Sequence, residues 1–202
     1  ILVDNKVVLP VDQDNPSSYL IAVDKHSGKL LWKVDRPSVI SGYSTPIVYQ
    51  PKQGAKQIII PESFQLSAYS VADGKRVWWV RGLACEMKSI ASHDSEYLYI
   101  NGWGFPQNQP GRQVPTISFE EGLAAYDKDN DHMISKAEVA AAGGTAMMDK
   151  MLVAAFEAFD LNRDEKLNDK DWEVFRSMMA AENGLLAIKM GGQGDQTANA
   201  IR

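Results

Sequence analysis

A stretch of the chain repeats itself with a fixed spacing, and this repeat restricts the fold more than any other feature. Residues 20–32 (Leu20-Ile21-Ala22-Val23-Asp24-Lys25-His26-Ser27-Gly28-Lys29-Leu30-Leu31-Trp32) align without a gap on residues 66–78, at a constant offset of 46 residues from Trp32 to Trp78. Ala22 pairs with Ala68, Gly28 with Gly74, Lys29 with Lys75 and Trp32 with Trp78. In each copy a glycine separates two apolar alternations, as a hairpin turn or bulge with positive φ requires. Each unit therefore reads as strand, tight turn, strand. Further strands are predicted over residues 6–11, 46–49, 57–60 and 97–100. A partial third copy begins at Leu185-Leu186-Ala187-Ile188-Lys189, with residues 191–195 in its turn and no tryptophan after it.

A period in the forties with several short strands per unit is the pattern of a propeller blade. The first copy carries Ala22, Asp24, Gly28, Lys29 and Trp32, an Ala-x-Asp-x-x-x-Gly-Lys-x-x-Trp pattern that resembles the pyrroloquinoline-quinone-type (PQQ-like) β-propeller repeat. The second copy keeps Ala68, Gly74, Lys75 and Trp78 but has Ser70 at the Asp position. The resemblance implies antiparallel four-stranded blades over residues 1–105 and 184–202, with Trp32 and Trp78 packed between neighbouring blades. Complete propellers of this kind have more blades, so the resemblance also implies a partial propeller. The chain opens Ile1-Leu2-Val3-Asp4, without Met, and reads as processed or cut from something longer.

From about Ser118 the composition turns to the Ala, Met, Glu and Lys of helices. Pro106, Pro110, Gly111 and Pro115 mark a linker before it. Ser118 followed by Glu121 has the form of a capping box, and Phe119, Leu123 and Tyr126 fall on one helical face. Residues 127–138 then place Asp127, Asp129 and Asp131 at alternate positions. Met133 follows with its backbone carbonyl, then Ser135, then Glu138 at the twelfth position. Short carboxylates converging from one, three and five, with a longer one reaching back from twelve, are suited to a hard cation of high coordination number.

Residues 160–171 repeat the spacing with Asp160, Asn162, Asp164, the carbonyl of Lys166, Asn168 and Asp171. Ile134 and Leu167, each at position eight, would pair the two loops. Residues 106–183 thus resemble a linker plus a paired EF-hand insertion, which implies Ca²⁺ as the bound ion. Both loops depart from the family at position six, where His132 and Glu165 replace glycine. The second loop also has fewer carboxylates and a shorter closing residue, Asp171, so weaker calcium binding or a preference for Mg²⁺ is expected there.

The fold class expected is therefore mixed: a partial β-propeller with an inserted all-α domain. A net charge of −5 offers no basic surface for nucleic acid. No apolar run is long enough to span a bilayer. Cys85 is the single cysteine, so no internal disulfide is expected, and no phosphate loop or Gly-x-Ser-x-Gly nucleophile motif is present. His26 and His93 read as solvated turn residues. The expected function is calcium binding in a non-enzymatic binding or scaffold module, with a protein partner on a propeller face. The resemblance implies an extracytoplasmic location: periplasmic, secreted or envelope-attached. The alternative is a fragment of a quinone-dependent dehydrogenase. That family resemblance implies a vicinal cysteine pair, and Cys85 has no cysteine neighbour.

Overall fold

The computed structural model describes residues 1–13, 17–104, 115–144, 147–181 and 183–200. The first sheet is β1 (Leu2–Val3), β2 (Lys6–Val11), β3 (Tyr19–Asp24) and β4 (Leu30–Asp35), antiparallel in that order. The second has β5 (Ile47–Tyr49), β6 (Gln57–Glu62), β7 (Gln65–Ser70) and β8 (Arg76–Arg81), again antiparallel in sequence order. A third begins with β9 (Ser92–His93) and β10 (Tyr97–Gly102). The chain then enters a helical unit of α1 (Phe119–Tyr126), β11 (Ile134–Ser135), α2 (Lys136–Ala142), α3 (Met147–Phe159), β12 (Lys166–Leu167) and α4 (Asp169–Ala180). It returns as β13 (Gly184–Lys189), which pairs antiparallel with β10, and ends in β14 (Gly194–Asp195) and α5 (Thr197–Ala200). These are the sheets of a partial propeller-like fold with helices between two strands of its third sheet. Residues 105–114, which hold most of the proline-bearing linker, lie outside the described residues.

The repeated residues have physical reasons for their spacing. In the first copy the Asp24 carboxylate accepts from the backbone amides of His26 (3.1 Å) and Ser27 (2.8 Å) and from the Ser27 hydroxyl (2.9 Å), closing an Asx-type turn. Ser70 substitutes for it in the second copy by accepting from the Ala72 amide (3.2 Å). Gly28 and Gly74 follow at φ +70° and +73°, and each hairpin shifts register at the same place, after Ala22 and after Ala68. Gly74 is required on a second count: a Cβ there would lie 2.7 Å from the Trp32 ring. Trp32 thus lies on the next sheet's turn and donates its Nε1–H to the Val71 carbonyl (3.3 Å). Trp78, fully buried, shares a cluster with Leu98, Ile100, Leu186 and Ile188 of the third sheet. Each repeat tryptophan therefore packs against the sheet that follows its own, as expected of blade-to-blade contacts.

The third copy departs from its expected course. Gly191 and Gly192 do turn, with φ of +105° and +91°, but Gly194 and Asp195 run beside Trp78 and Trp79 as a parallel fifth strand on β8. Without the outer-strand apolar residues and tryptophan of the other copies, this segment has little to bury in a hairpin of its own. It binds the neighbouring sheet's edge instead.

A buried polar cluster that the repeat does not announce joins the first two sheets. Arg36, just past β4, donates to Glu62 of β6 (2.8 Å) and ion-pairs with Asp12. Glu62 also accepts from Gln65 (3.0 Å), the Ser67 hydroxyl (2.8 Å) and the Tyr69 hydroxyl. Arg36 and Glu62 are 3% and 0% exposed. Burial pushes the Asp12 carboxyl above its usual range against the pull of Arg36, and burial and then Glu62 hold the Tyr69 phenol well above its own. Removing the one cation from such a cluster leaves desolvated carboxylates unpaired, which costs about 3–5 kcal/mol. Arg36→Met should accordingly lower the unfolding free energy by about that amount in urea titration. Arg36→Met combined with Glu62→Leu should recover part of the loss.

Candidate metal centre

The helical unit is organised around its aromatic residues. Trp172 lies against Phe175 with centroids 5.0 Å apart, and Phe159 meets Phe175 edge-on at 5.1 Å. Ser118 caps α1 in a full capping box with Glu121, as its sequence predicts, and Phe119, Leu123 and Tyr126 face this core. Two loops leave it, one between α1 and α2 and one between α3 and α4. They are joined by the short antiparallel pair of β11 and β12, with Ile134 opposite Leu167 and Ser135 opposite Lys166. Ile134 and Leu167 are both fully buried among the aromatic rings. The two position-eight aliphatics therefore hold the loops side by side on the core.

The loops share one backbone. Asn130 and His132 in the first, and Arg163 and Glu165 in the second, have φ of +61°, +62°, +59° and +63°. Neither His132 nor Glu165 prevents the left-handed turn that glycine would make without strain. The leading aspartate of each loop gathers the amides this turn points inward. Asp127 accepts from the backbone N–H of Asn130 (2.7 Å) and His132 (3.1 Å). Asp160 accepts from Asp164 (3.2 Å) and Glu165 (2.8 Å).

The closing carboxylates also correspond. Glu138 accepts from the amides of Lys128 (2.7 Å) and Ser135 (2.8 Å), thereby reaching back across its loop to the second position. Asp171 does the same with Leu161 (3.1 Å) and Asn168 (3.0 Å) despite its shorter side chain. The Lys128 amide, followed by the Ser135 hydroxyl and amide, holds the Glu138 carboxyl down to about 2. Asp171 is 1% exposed, and burial pushes its carboxyl up, against the Asn168 and Leu161 amides. Ser135 and Asn168, at position nine, act in this structure as N-caps of α2 and α4.

In the first loop Asp127, Asp129 and Asp131 bring one carboxylate oxygen each to within 4.8 Å of one another. This is the one such group of three among the described residues. Asp127 is half-buried, whereas Asp129 and Asp131 face solvent. Met133 follows, with its amide donated to Asp131 (2.9 Å). In the second loop Asp164 accepts from Asn162 Nδ2 (2.8 Å) and from the Lys166 amide (2.9 Å). Oxygen donors converging on one point, with no sulfur or imidazole among them, suit a hard divalent cation.

One participant was not visible as such in the sequence. Lys166, expected to offer only its backbone carbonyl to the second loop, extends its side chain across the β11–β12 pair to the first, where its ammonium ion-pairs with Asp131. This contact holds the Asp131 carboxyl below its usual range. Its signal lay in the register: Lys166 is opposite Ser135, and a long cationic side chain there is within reach of the neighbouring loop's acids.

The sequence matches no family profile and no curated protein. Among solved structures the chain is similar to BamB from Moraxella catarrhalis, at 19% identity and a TM-score of 0.38 over 48% of this chain. The match spans 31% of that protein's structure.

Left-handed backbone costs a residue with a Cβ about 1–2 kcal/mol. Part of any gain from glycine is offset by the freer unfolded chain. Glu165→Gly should therefore raise the unfolding free energy by about 0.5–1 kcal/mol. Histidine is among the residues that tolerate positive φ best, so His132→Gly should gain less. Urea unfolding of the two variants side by side checks the order.

Proposed function

We propose that the helical unit is an EF-hand pair that binds Ca²⁺, carried by a PQQ-like partial propeller that serves as a non-enzymatic binding or scaffold module. The observation that carries this reading is the convergence of Asp127, Asp129 and Asp131 within 4.8 Å. The return of Glu138 to the start of the same loop supports it (2.7 Å to the Lys128 amide). In the first loop the ion would be held by these four carboxylates with the Met133 carbonyl and Ser135. In the second the donors are Asp160, Asn162, Asp164, the Lys166 carbonyl, Asn168 and Asp171. Calcium supplies charge neutralisation there, ordering the loops and the short strand pair between them.

Sites of this kind in extracellular modules have affinities of about 10⁻⁴–10⁻³ M. Such a site is filled where calcium is millimolar, which fits an extracytoplasmic setting. A protein partner on a propeller face completes the reading of the sheets as a scaffold.

Calorimetric titration of the metal-stripped chain with CaCl₂ should show a stronger and a weaker site. Asp127→Ala combined with Glu138→Ala should abolish the stronger. Absence of heat at millimolar calcium, or a stronger site that survives the double substitution, would refute the assignment.

In the first loop the Lys166 ammonium, paired with Asp131, would compete with a bound cation for that carboxylate. A unit charge a few ångströms from a divalent ion opposes binding by one to a few kcal/mol before screening. Lys166→Met should therefore tighten the first site by on the order of tenfold, with the larger gain at low ionic strength. Equal affinities in the two proteins at low salt would show that the Lys166–Asp131 ion pair has no role.

A further inference from the structure

A cavity of about 620 Å³ lies between β8 and the segment formed by the second loop and α4, with Leu161, Asn162, Asn168 and Asp171 of that loop on its border. That volume is in the range of small-molecule sites, about 300–1,000 Å³. Arg76, Trp79 and Arg81 contribute from the sheet side, and Lys170, Glu173 and Val174 from the helix side.

The cations on these walls are not all directly paired. Arg81 is balanced by Glu173 and Asp195, each at 3.7 Å. The Asp171 carboxylate, which also borders the space, is turned into its loop and held by the Leu161 and Asn168 amides. Arg76 has no carboxylate partner among the described residues; its guanidinium lies 3.9 Å from the centroid of the Trp79 ring. Lys170 gives its backbone amide to the Asn168 cap (2.9 Å), and its ammonium likewise has no carboxylate partner among the described residues. Two cations without a direct carboxylate partner among the described residues thus border one cavity. Trp79, Val174 and Phe64 also line the cavity.

We propose that this cavity is a binding site for a small organic anion with a planar apolar body, such as an aromatic carboxylate. Arg76 is the anchoring residue. A guanidinium presents its donors in a fork that matches a carboxylate, and one already stacked on an indole loses little freedom on binding. Lys170 supplies a second positive charge from the opposite wall, and the apolar body lies against Trp79 and Val174. The inference does not require metal in the second loop.

Titration of the full chain with 2-naphthoate in the presence of chelator, followed by calorimetry, tests it. The neutral isostere 2-naphthamide serves as the comparison. At the ligand efficiencies of drug-sized compounds, about 0.3 kcal/mol per heavy atom, a Kd of about 1 mM or tighter is expected. The acid should bind at least about tenfold more tightly than the amide. Arg76→Gln and Lys170→Gln, both at exposed positions, should each weaken the acid about threefold or more and leave the amide unchanged. No binding of the acid at about 10 mM, or equal binding of acid and amide, overturns the proposal on the unsubstituted protein alone. Undiminished acid binding by both folded variants overturns it as well.

Discussion

The antiparallel pairing of β10 with β13 is the contact on which the rest of the chain's arrangement depends. Six residue pairs, from Tyr97 opposite Lys189 to Gly102 opposite Gly184, bring together two strands separated by the whole helical unit. Closing so long a connection costs entropy, but that cost rises only slowly with its length. The pairing is reinforced beyond the ladder itself: the Gly104 amide donates to the Asn183 side chain (2.8 Å), and Leu186 and Ile188 enter the cluster around Trp78. A segment entering and leaving through adjacent strands can grow outward without disturbing the sheets that carry it. The helical unit accordingly has its own aromatic core, and the sheets have theirs.

That same pairing gives the repeat its continuity. Trp32 reaches the turn of the second sheet, and Trp78 reaches strands of the third, one of which arrives only after the helical unit. Glycine at the turn answers the indole from the preceding sheet, so the pattern read along one chain segment is satisfied between two. Gly28 illustrates the point from the other side. It has the same positive φ as Gly74, yet no atom lies within 4 Å of where its Cβ would be. Its conformation is set by its own turn, whereas Gly74 answers to both the turn and the neighbour.

Much of this was legible in the residues. Strand β2 falls where the alternation of residues 6–11 places it, and β6 and β10 each extend two residues past their expected ends. The capping box at Ser118 is present in full, because it depends on residues three apart and on nothing distant. What escaped reading depends on tertiary placement. Arg36, Asp12 and Glu62 are far apart in the chain and carry no motif; only the meeting of two sheets makes them one cluster. Residues 191–195 depart from a simple turn for a similar reason, since the edge of β8 that receives β14 is far away in sequence. Lys166 is an intermediate case, with its side-chain role set by a strand register that position eight of both loops implied.

The two loops show how one backbone can present different sites. Left-handed residues recur at matching positions, the closing carboxylates accept from matching amides, and the leading ones share the amide at position six. The difference is in burial. Asp160 and Asp171 are 5% and 1% exposed, whereas Asp127 and Glu138 at the same positions are half-buried, and positions three and five face solvent in both loops. A buried carboxylate already satisfied by amides must give up those bonds to meet a cation, and it has little room to turn. The half-buried Asp127 and Glu138, though also held by amides, have more room to turn than their counterparts. The acids of the first loop are also close enough to repel one another, and a divalent ion relieves that repulsion. Both effects would favour the first loop in the calcium binding proposed above, through solvation and geometry that the list of donor residues alone does not contain.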